Sequence, residues 1–128
     1  MLGPMARVLL VDDDPAILRL LEVNFRLEGF ETVTASRGEQ ALEAAAASRP
    51  DAIVLDVMLP GLDGTEVFRR LREDETLASV PVVFLSARSR DDDLVRADQL
   101  DATYVTKPFD PSALVETVRD LIDRGGSA

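Results

Sequence analysis

Residues 7–25 read RVLLVDDDPAILRLLEVNF, and this stretch passes from an apolar run through three aspartates into an amphipathic pattern. The run Val8–Val11 has no polar interruption, which is typical of a strand that is covered on both faces. Pro15 stands directly after Asp14, where proline favours the first turn of a helix. The apolar residues beyond it recur at helical spacing: Ile17, Leu18, Leu21 and Phe25, with Gly29 ending the pattern. The stretch therefore predicts a strand followed by a helix, with acids at the carboxyl end of the strand.

The same strand-helix unit recurs along the chain. The candidate strands are Arg7–Val11, Glu31–Thr34, Ala52–Leu55, Val82–Leu85 and Thr103–Val105. The candidate helices are one that begins at Pro15, then Arg37–Ser48, Thr65–Glu73, a short polar helix near Asp91–Asp98, and Pro111–Asp123. The second and fifth strands are the least apolar, which suits less buried positions. This alternation predicts an α/β fold with a parallel sheet and right-handed crossovers, in which a ligand lies beyond the carboxyl ends of the strands. We expect one domain over residues 6–123, a lead-in over 1–5, and a C-terminal tail or the start of a linker over 124–128.

The composition excludes several kinds of functional site. A chain of 128 residues, with 46% hydrophobic and 30% charged residues and a mean hydropathy of +0.04, suits one packed domain. The chain has neither Cys nor His, which excludes thiol nucleophiles, disulfides, Ser-His-Asp triads and histidine zinc sites. The lack of cysteine also fits a reducing compartment, so we expect a cytoplasmic protein. The net charge of −10 predicts no direct binding to nucleic acid or to an anionic membrane, and no apolar run is long enough to span a bilayer.

Acidic and polar residues follow the ends of the predicted strands. Asp12 and Asp13 follow the first strand, Asp56 follows the third, Ser86 follows the fourth, and Lys107 stands just beyond the fifth. If the three inner strands are neighbours, these side chains converge in one shallow pocket. Clustered carboxylates repel one another unless a cation neutralises them, and Mg²⁺ prefers a few carboxylates together with water. A carboxylate beside both a metal and a lysine can act as a nucleophile towards a phosphoryl group.

Lys107 is the only lysine among the 14 basic residues, and all the others are arginines. The chain therefore uses arginine wherever any cation suffices and keeps one lysine, beside a proline, at a strand end. An ammonium group is a compact point charge, whereas a guanidinium group is planar and wide. We interpret Lys107 as a contact for a phosphoryl oxygen.

Four segments together resemble the receiver domains of bacterial two-component response regulators. They are VLLVDDDP (8–15), IVLDVMLPGLDG (53–64), VVFLSA (82–87) and YVTKPF (104–109), and the resemblance covers roughly residues 6–123. The resemblance implies a flavodoxin-like, doubly wound α/β fold with five parallel strands in the order 2-1-3-4-5 and five helices. It also implies that Asp56 is the phosphoacceptor. Asp13 would then hold Mg²⁺ directly and Asp12 through water, with Asp56 and the backbone carbonyl of Met58 as further ligands.

The resemblance assigns three more residues around the phosphoryl group. Ser86 would hydrogen-bond the phosphoryl group in the active state, and Lys107 would pair with it. The Lys107-Pro108 peptide would be cis, a geometry that proline permits. Tyr104, the sole tyrosine, would be the aromatic switch whose rotamer follows Ser86.

The function that the resemblance implies is a signalling switch rather than an enzyme. A histidine kinase or a phosphotransfer protein would donate the phosphoryl group to Asp56 with Mg²⁺ present. The face made of the helix near Asp91–Asp98, the strand Thr103–Val105 and the helix Pro111–Asp123 would then change shape and control a downstream protein or an output domain. Small phosphodonors would also modify the domain, and the phosphoryl group would be lost slowly. Whether the domain stands alone or belongs to a longer regulator is open.

The lifetime of the phosphoform depends on two positions that, by resemblance, flank the path of the hydrolytic water. Met58 has no hydrogen-bonding side-chain group to orient a water molecule, and Arg88 can occupy the same space with its guanidinium group. Since neither residue can act as a base, we predict a long-lived phosphoform.

The chain departs from the family pattern in two places. Leu100 and Asp101 stand where the family usually has a Gly-Ala pair, which affects the turn before the last strand and not the site. Ala113 and Thr117 replace the Glu and Arg that usually form a salt-bridged dimer in regulators of the winged-helix class. We therefore expect a monomer before phosphorylation, and a dimer after phosphorylation is left open.

Two functions of other classes remain as alternatives. A phosphohydrolase of the haloacid dehalogenase type has a strand that ends in Asp-x-Asp, which Asp12–Asp14 satisfies, and its nucleophile would be Asp12 instead of Asp56. Pro15-Ala16 does not continue that signature. A nucleotide-binding module is disfavoured because no glycine-rich phosphate loop follows any strand.

Overall fold

Five strands and four helices form the described part of the chain, which covers residues 5–86 and 103–126 of this computed structural model. The strands are β1 (Arg7–Val11), β2 (Glu31–Ala35), β3 (Ala52–Asp56), β4 (Val82–Ser86) and β5 (Thr103–Thr106). The helices are α1 (Pro15–Leu27), α2 (Gly38–Ser48), α3 (Gly64–Glu73) and α4 (Pro111–Gly126). The helix expected near Asp91–Asp98, the turn at Leu100 and Asp101, and Arg88 lie outside the described residues.

The sheet has the order β2-β1-β3-β4-β5, and all four neighbouring pairs are parallel. This confirms the predicted doubly wound α/β architecture and its strand order. The continuously apolar strands β1, β3 and β4 occupy the inner positions, and the less apolar β2 and β5 form the edges. Because the strands are parallel, their carboxyl ends meet at one edge of the sheet.

The core consists of two apolar clusters, one on each face of the sheet. Alternate residues of a strand point to opposite faces, so neighbouring core residues belong to different clusters. The first cluster joins Leu9, Val11, Ile53, Leu55 and Phe84 to buried side chains of α2 and α3. The second joins Val8, Leu10, Val54, Val83 and Leu85 to buried side chains of α1 and α4. Because helices cover both faces of the sheet, the polar side chains meet at the carboxyl ends of the strands.

Aspartate side chains cap three of the helices near that edge, and in the last helix the Asp110 carboxylate accepts a hydrogen bond of 2.9 Å from the Ser112 amide. The Asp14 carboxylate accepts a hydrogen bond of 2.9 Å from the amide of Ala16 and caps α1. The Asp63 carboxylate accepts one of 3.0 Å from Thr65 and caps α3. Helix capping therefore accounts for Asp14, as the Asp-Pro sequence indicates. None of the helices among the described residues combines the length and apolar character that a membrane span requires.

Several elements are longer than the sequence pattern predicts. β2 to β5 each extend one residue further, and in β3 and β4 that residue is a predicted site residue, Asp56 or Ser86. Parallel pairing continues through these polar positions because Asp56 faces Leu85 and Ser86 faces Thr106 in register. The last helix runs to Gly126 instead of Asp123, since no proline stands there to end it. Asp56 and Ser86 are thus anchored within the sheet itself.

Candidate functional site

The carboxyl ends of four strands bring the predicted residues together. Asp12 directly follows β1, and Asp56 and Ser86 are the last residues of β3 and β4. Lys107 directly follows β5, and its amide donates a short hydrogen bond of 2.6 Å to the Ser86 carbonyl. The Lys107-Pro108 peptide is cis, as the resemblance implies. The inner position of β1, β3 and β4 in the sheet is therefore what assembles the site.

Three carboxylates form one cluster at this edge. Asp12, Asp13 and Asp56 each offer an oxygen atom, and these atoms all lie within 4.8 Å of one another. Asp12 is fully buried, Asp56 is 5% exposed, and Asp13 faces solvent at the mouth of the site. Two ligands on opposite sides of an octahedral Mg²⁺ lie about 4.2 Å apart, so the spacing of the cluster suits a single ion of this kind. Oxygen donors are also the ligands that this hard cation prefers.

Lys107 offsets part of the negative charge of the cluster. Its Nζ lies 2.8 Å from Oδ2 of Asp12 and 3.6 Å from Oδ2 of Asp56. Three carboxylates still carry more charge than one ammonium group offsets, and two of them are buried. Placing like charges this close is unfavourable unless a further cation binds. The cluster is therefore suited to a divalent cation.

The two acids that Lys107 contacts have different hydrogen-bond environments. Both carboxylate oxygens of Asp12 are engaged, since Oδ1 accepts from the Asp14 amide at 2.9 Å and Oδ2 accepts from Lys107 at 2.8 Å. Asp56 Oδ1 accepts a longer bond of 3.2 Å from the Met58 amide. Oδ2 of Asp56 lies 3.6 Å from Lys107 Nζ, so both polar contacts of Asp56 are longer than those of Asp12, which favours Asp56 over Asp12 as a nucleophile.

The electrostatic environment sets the protonation of Asp56 and Lys107. Burial and the adjacent Asp12 carboxylate raise the pKa of Asp56 from its ordinary 3.8 to about 6, although Lys107 and the Met58 amide act in the opposite direction. Burial opposes the charged form of Lys107, but the hydrogen bond to Asp12 and the attraction of Asp56 outweigh it, so its pKa is raised. At neutral pH the metal-free site therefore holds a protonated lysine beside an Asp56 carboxyl group that is mostly ionised.

The segment that follows β3 wraps the site from one side. The Val57 amide bonds the Leu85 carbonyl at 3.0 Å, and the Gly64 amide returns to the Val57 carbonyl at 3.0 Å. A Cβ at Gly64 would lie 2.3 Å from the Asp56 carbonyl oxygen, so only glycine allows α3 to begin this close to the strand end. Sequence reasoning missed this role of Gly64. The sequence signal was the glycine directly after the capping Asp63.

Tyr104, Ser86 and Met58 differ in how deeply they are buried around the site. Tyr104 is half-buried, packs against the cluster that contains Phe84, and stands opposite Phe84 in the β4–β5 register. Ser86 is buried, with 1% of its surface exposed. The side chain of Met58 is 56% exposed beside the site, which fits a position on the approach to Asp56.

Comparison with known proteins gives a consistent result. Residues 8–119 match the family model described as the response regulator receiver domain. The transcriptional regulatory protein PrrA of Mycobacterium tuberculosis is 48% identical over 122 residues, which are 94% of this chain and 52% of that protein. The alkaline phosphatase synthesis transcriptional regulatory protein PhoP of Bacillus subtilis is 41% identical over 119 residues, which are 92% of this chain and 49% of that protein. The chain thus spans about half the length of these curated relatives.

Solved structures agree with the family match. The receiver domain of the Francisella response regulator 1452 has a TM-score of 0.86 at 32% identity, covering 93% of this chain and 98% of that one. The chemotaxis response regulator CheY4 of Vibrio cholerae has a TM-score of 0.86 at 28% identity, covering 92% and 99%. Both likenesses extend over nearly the whole of this chain.

Proposed function

Because this chain belongs to the response regulator receiver domain family, we propose that it accepts a phosphoryl group on Asp56 and thereby acts as a switch. The observation that carries the proposal is the cluster of two buried carboxylates and one exposed carboxylate around a single ammonium group. The cluster has a nucleophile, a charge partner for phosphoryl oxygens and donors for a divalent cation. The alternative nucleophile, Asp12, has both oxygens engaged in hydrogen bonds.

Asp56 acts as the nucleophile of the transfer step. One carboxylate oxygen forms a bond to phosphorus while the bond between phosphorus and the donor atom breaks, and the donor leaves with that electron pair. The carboxylate has to be ionised for this step, and a pKa of about 6 in the metal-free protein leaves it mostly ionised at neutral pH. A phosphohistidine of a histidine kinase or of a phosphotransfer protein is the donor that fits the family.

Lys107 and Ser86 stabilise the transferred group. The Lys107 ammonium, now 3.6 Å from Asp56, is placed to pair with a phosphoryl oxygen. The hydroxyl of Ser86, on the neighbouring strand end, is placed to donate a second hydrogen bond. Movement of these two residues towards the phosphoryl group frees space beside β5, where Tyr104 repacks against the core and changes the surface of β5 and α4.

Mg²⁺ is the cofactor that we propose for this site. Asp13, Asp56 and the Met58 carbonyl would hold it directly and Asp12 through water. When bound, it neutralises negative charge on the carboxylates and on the incoming phosphoryl oxygens. Asp13 is the exposed member of the cluster and faces the side from which the ion and the donor arrive.

The output of the switch is control of transcription in the intact regulator. The relatives at 41% to 48% identity are named as transcriptional regulatory proteins, and this chain corresponds to about half of each. We infer that the receiver acts on an output domain through the surface of β5 and α4. The net charge of −10 supports a role in which the receiver itself does not bind DNA.

Phosphorylation with a small donor tests the proposal. The wild-type chain with acetyl phosphate and Mg²⁺ should gain the mass of one phosphoryl group, and a chelator should prevent the gain. Asp56→Asn should gain none. Asp120→Asn is the matched control, because it removes an exposed carboxylate of the same type on α4 and should behave as the wild type. Equal modification of Asp56→Asn and the wild type would contradict the proposal.

A further inference from the structure

The first turn of α2 contacts the segment that follows β3. A Cβ at Gly61 would lie 3.0 Å from Oε1 of Glu39 and 3.3 Å from Nη2 of Arg37, which places both side chains against Gly61. Between them, Gly38 is buried beneath Leu62. We call this contact, of residues 37–39 with residues 61–62, the α2 clamp.

Gly38 is the position in the α2 clamp that tolerates no side chain. A Cβ there would lie 2.2 Å from the Leu62 carbonyl oxygen and 2.6 Å from the Leu62 Cβ. Non-bonded heavy atoms have their optimal separation at about 3.5 Å. A methyl group at position 38 therefore has to push the Leu62 carbonyl oxygen away by about 1 Å. The backbone oxygen cannot rotate away as the end of a flexible side chain can.

Both α2 and the segment after β3 are held against the same core cluster. Ala41 and Ala45 hold α2 against the core with almost no exposed surface, and moving the helix opens cavities there. The segment itself is attached to the same cluster by three side chains, those of Val57, Leu59 and Leu62. A displacement of Leu62 is therefore transmitted along this short segment, which three side chains attach to the core.

Met58 lies between two of these anchors. Its amide bonds Asp56 Oδ1 at 3.2 Å, so a shift of the segment also changes the orientation of the Asp56 carboxylate. The other end of the segment cannot absorb the shift, because Gly64 already packs as closely as possible on the Asp56 carbonyl. Mg²⁺ requires ligands at about 2.0–2.1 Å in near-ideal octahedral geometry, which makes its affinity sensitive to displacements of a few tenths of an ångström.

We propose that Gly38 is a positioning residue for metal binding: by letting α2 seat the segment after β3, it sets the geometry of Asp56 and of the Met58 carbonyl. This inference rests on the proposed function, since it assumes that the cluster binds Mg²⁺. Gly38 touches neither the ion nor the phosphoryl group and acts through Leu62.

Titration calorimetry with Mg²⁺, together with urea unfolding of the metal-free proteins, tests the role of Gly38. Gly38→Ala should weaken Mg²⁺ binding by about tenfold or more, which is the size of effect found when groups that orient metal ligands are changed. The matched control is Gly29→Ala, at the amino edge of the sheet, which has φ of +92° and open space around it. Gly29→Ala should lose stability through backbone strain but keep the wild-type Mg²⁺ affinity. Equal Mg²⁺ affinity in Gly38→Ala and the wild type would overturn the inference.

Amide hydrogen exchange of the wild type provides a test that does not depend on the folding of the variant. Coupling between two sites is reciprocal, so Mg²⁺ should slow exchange in the first turn of α2 as well as at residues 12, 13 and 56–58. Protection confined to the cluster, with none at residues 38–41, would overturn the inference while leaving the metal site intact. A wild type that shows no Mg²⁺ binding by either method would overturn both the inference and the proposed cofactor.

Discussion

Replacing Asp56 with asparagine should stabilise the metal-free protein at neutral pH. The Asp56 side chain is 6% exposed, and burial together with Asp12 raises its pKa from 3.8 to about 6. A carboxyl group whose pKa is raised by folding contributes stability that is fully present below pH 3.8 and is lost as the pH rises through about 6. A pKa difference of this size corresponds to about 3 kcal/mol. Asp56→Asn avoids that loss, so it should be more stable than the wild type by about 2–3 kcal/mol at pH 7 and about equal to it at pH 4.

Urea unfolding followed by far-UV circular dichroism across this pH range, with a chelator present, measures the effect. Subtracting the two free energies of unfolding at each pH removes the contributions that both proteins share and leaves those that depend on the Asp56 carboxyl group. Asp120→Asn controls for the change in net charge and should show no such pH-dependent difference, since Asp120 is exposed. Added Mg²⁺ should reduce the advantage of Asp56→Asn by stabilising the ionised wild type. A stability difference that does not vary with pH, or a variant less stable than the wild type at pH 7, would refute the reasoning.

Three further predictions concern the metal, the lysine and the lifetime of the phosphoform. Mg²⁺ at about ten times its Kd should raise the melting temperature of the wild type by about 5 °C, and Asp13→Ala should abolish that shift in thermal unfolding. Lys107→Arg should lower the rate of phosphate incorporation from acetyl phosphate by at least about tenfold, because the planar guanidinium group cannot replace the ammonium group in this pocket. An unchanged rate would contradict the role of Lys107 as a contact for the phosphoryl group. Replacing Met58 with Asn and Arg88 with Glu together should speed the loss of phosphate measured by mass spectrometry, and unchanged decay would show that these residues do not set the lifetime.

The inner positions of three strands and the convergence of the site could be predicted from one residue pattern, whereas the strand order 2-1-3-4-5 was implied by the family resemblance. Three continuously apolar runs require burial on both faces, which places β1, β3 and β4 inside the sheet. Parallel strands then bring Asp12, Asp56 and Ser86 to one edge. The sole lysine of the chain is identifiable from composition alone, and it contacts two of the three acids.

The remaining features depend on distances that a residue pattern does not contain. The apolar pattern predicts that a strand ends at its last apolar residue. In the structure, sheet pairing continues in β3 and β4 to the polar residues Asp56 and Ser86. Gly38 acts through its contact with Leu62, and Gly64 through its contact with the Asp56 carbonyl oxygen. No residue pattern in the sequence links the two members of either pair. The elevated pKa of Asp56 likewise depends on burial and on the closeness of Asp12, which only the packed structure provides.

Chemical mapping of the phosphorylated residue distinguishes Asp56 from Asp12 as the phosphoacceptor. Borohydride reduces an aspartyl phosphate to homoserine, which marks the acceptor for peptide mass spectrometry after treatment with acetyl phosphate and Mg²⁺. With Asp56 as the phosphoacceptor, homoserine should appear at position 56, and aspartate should remain at positions 12 and 13. Homoserine at position 12 would contradict it, since the nucleophile would then be the acid whose two oxygens bond Lys107 and the Asp14 amide.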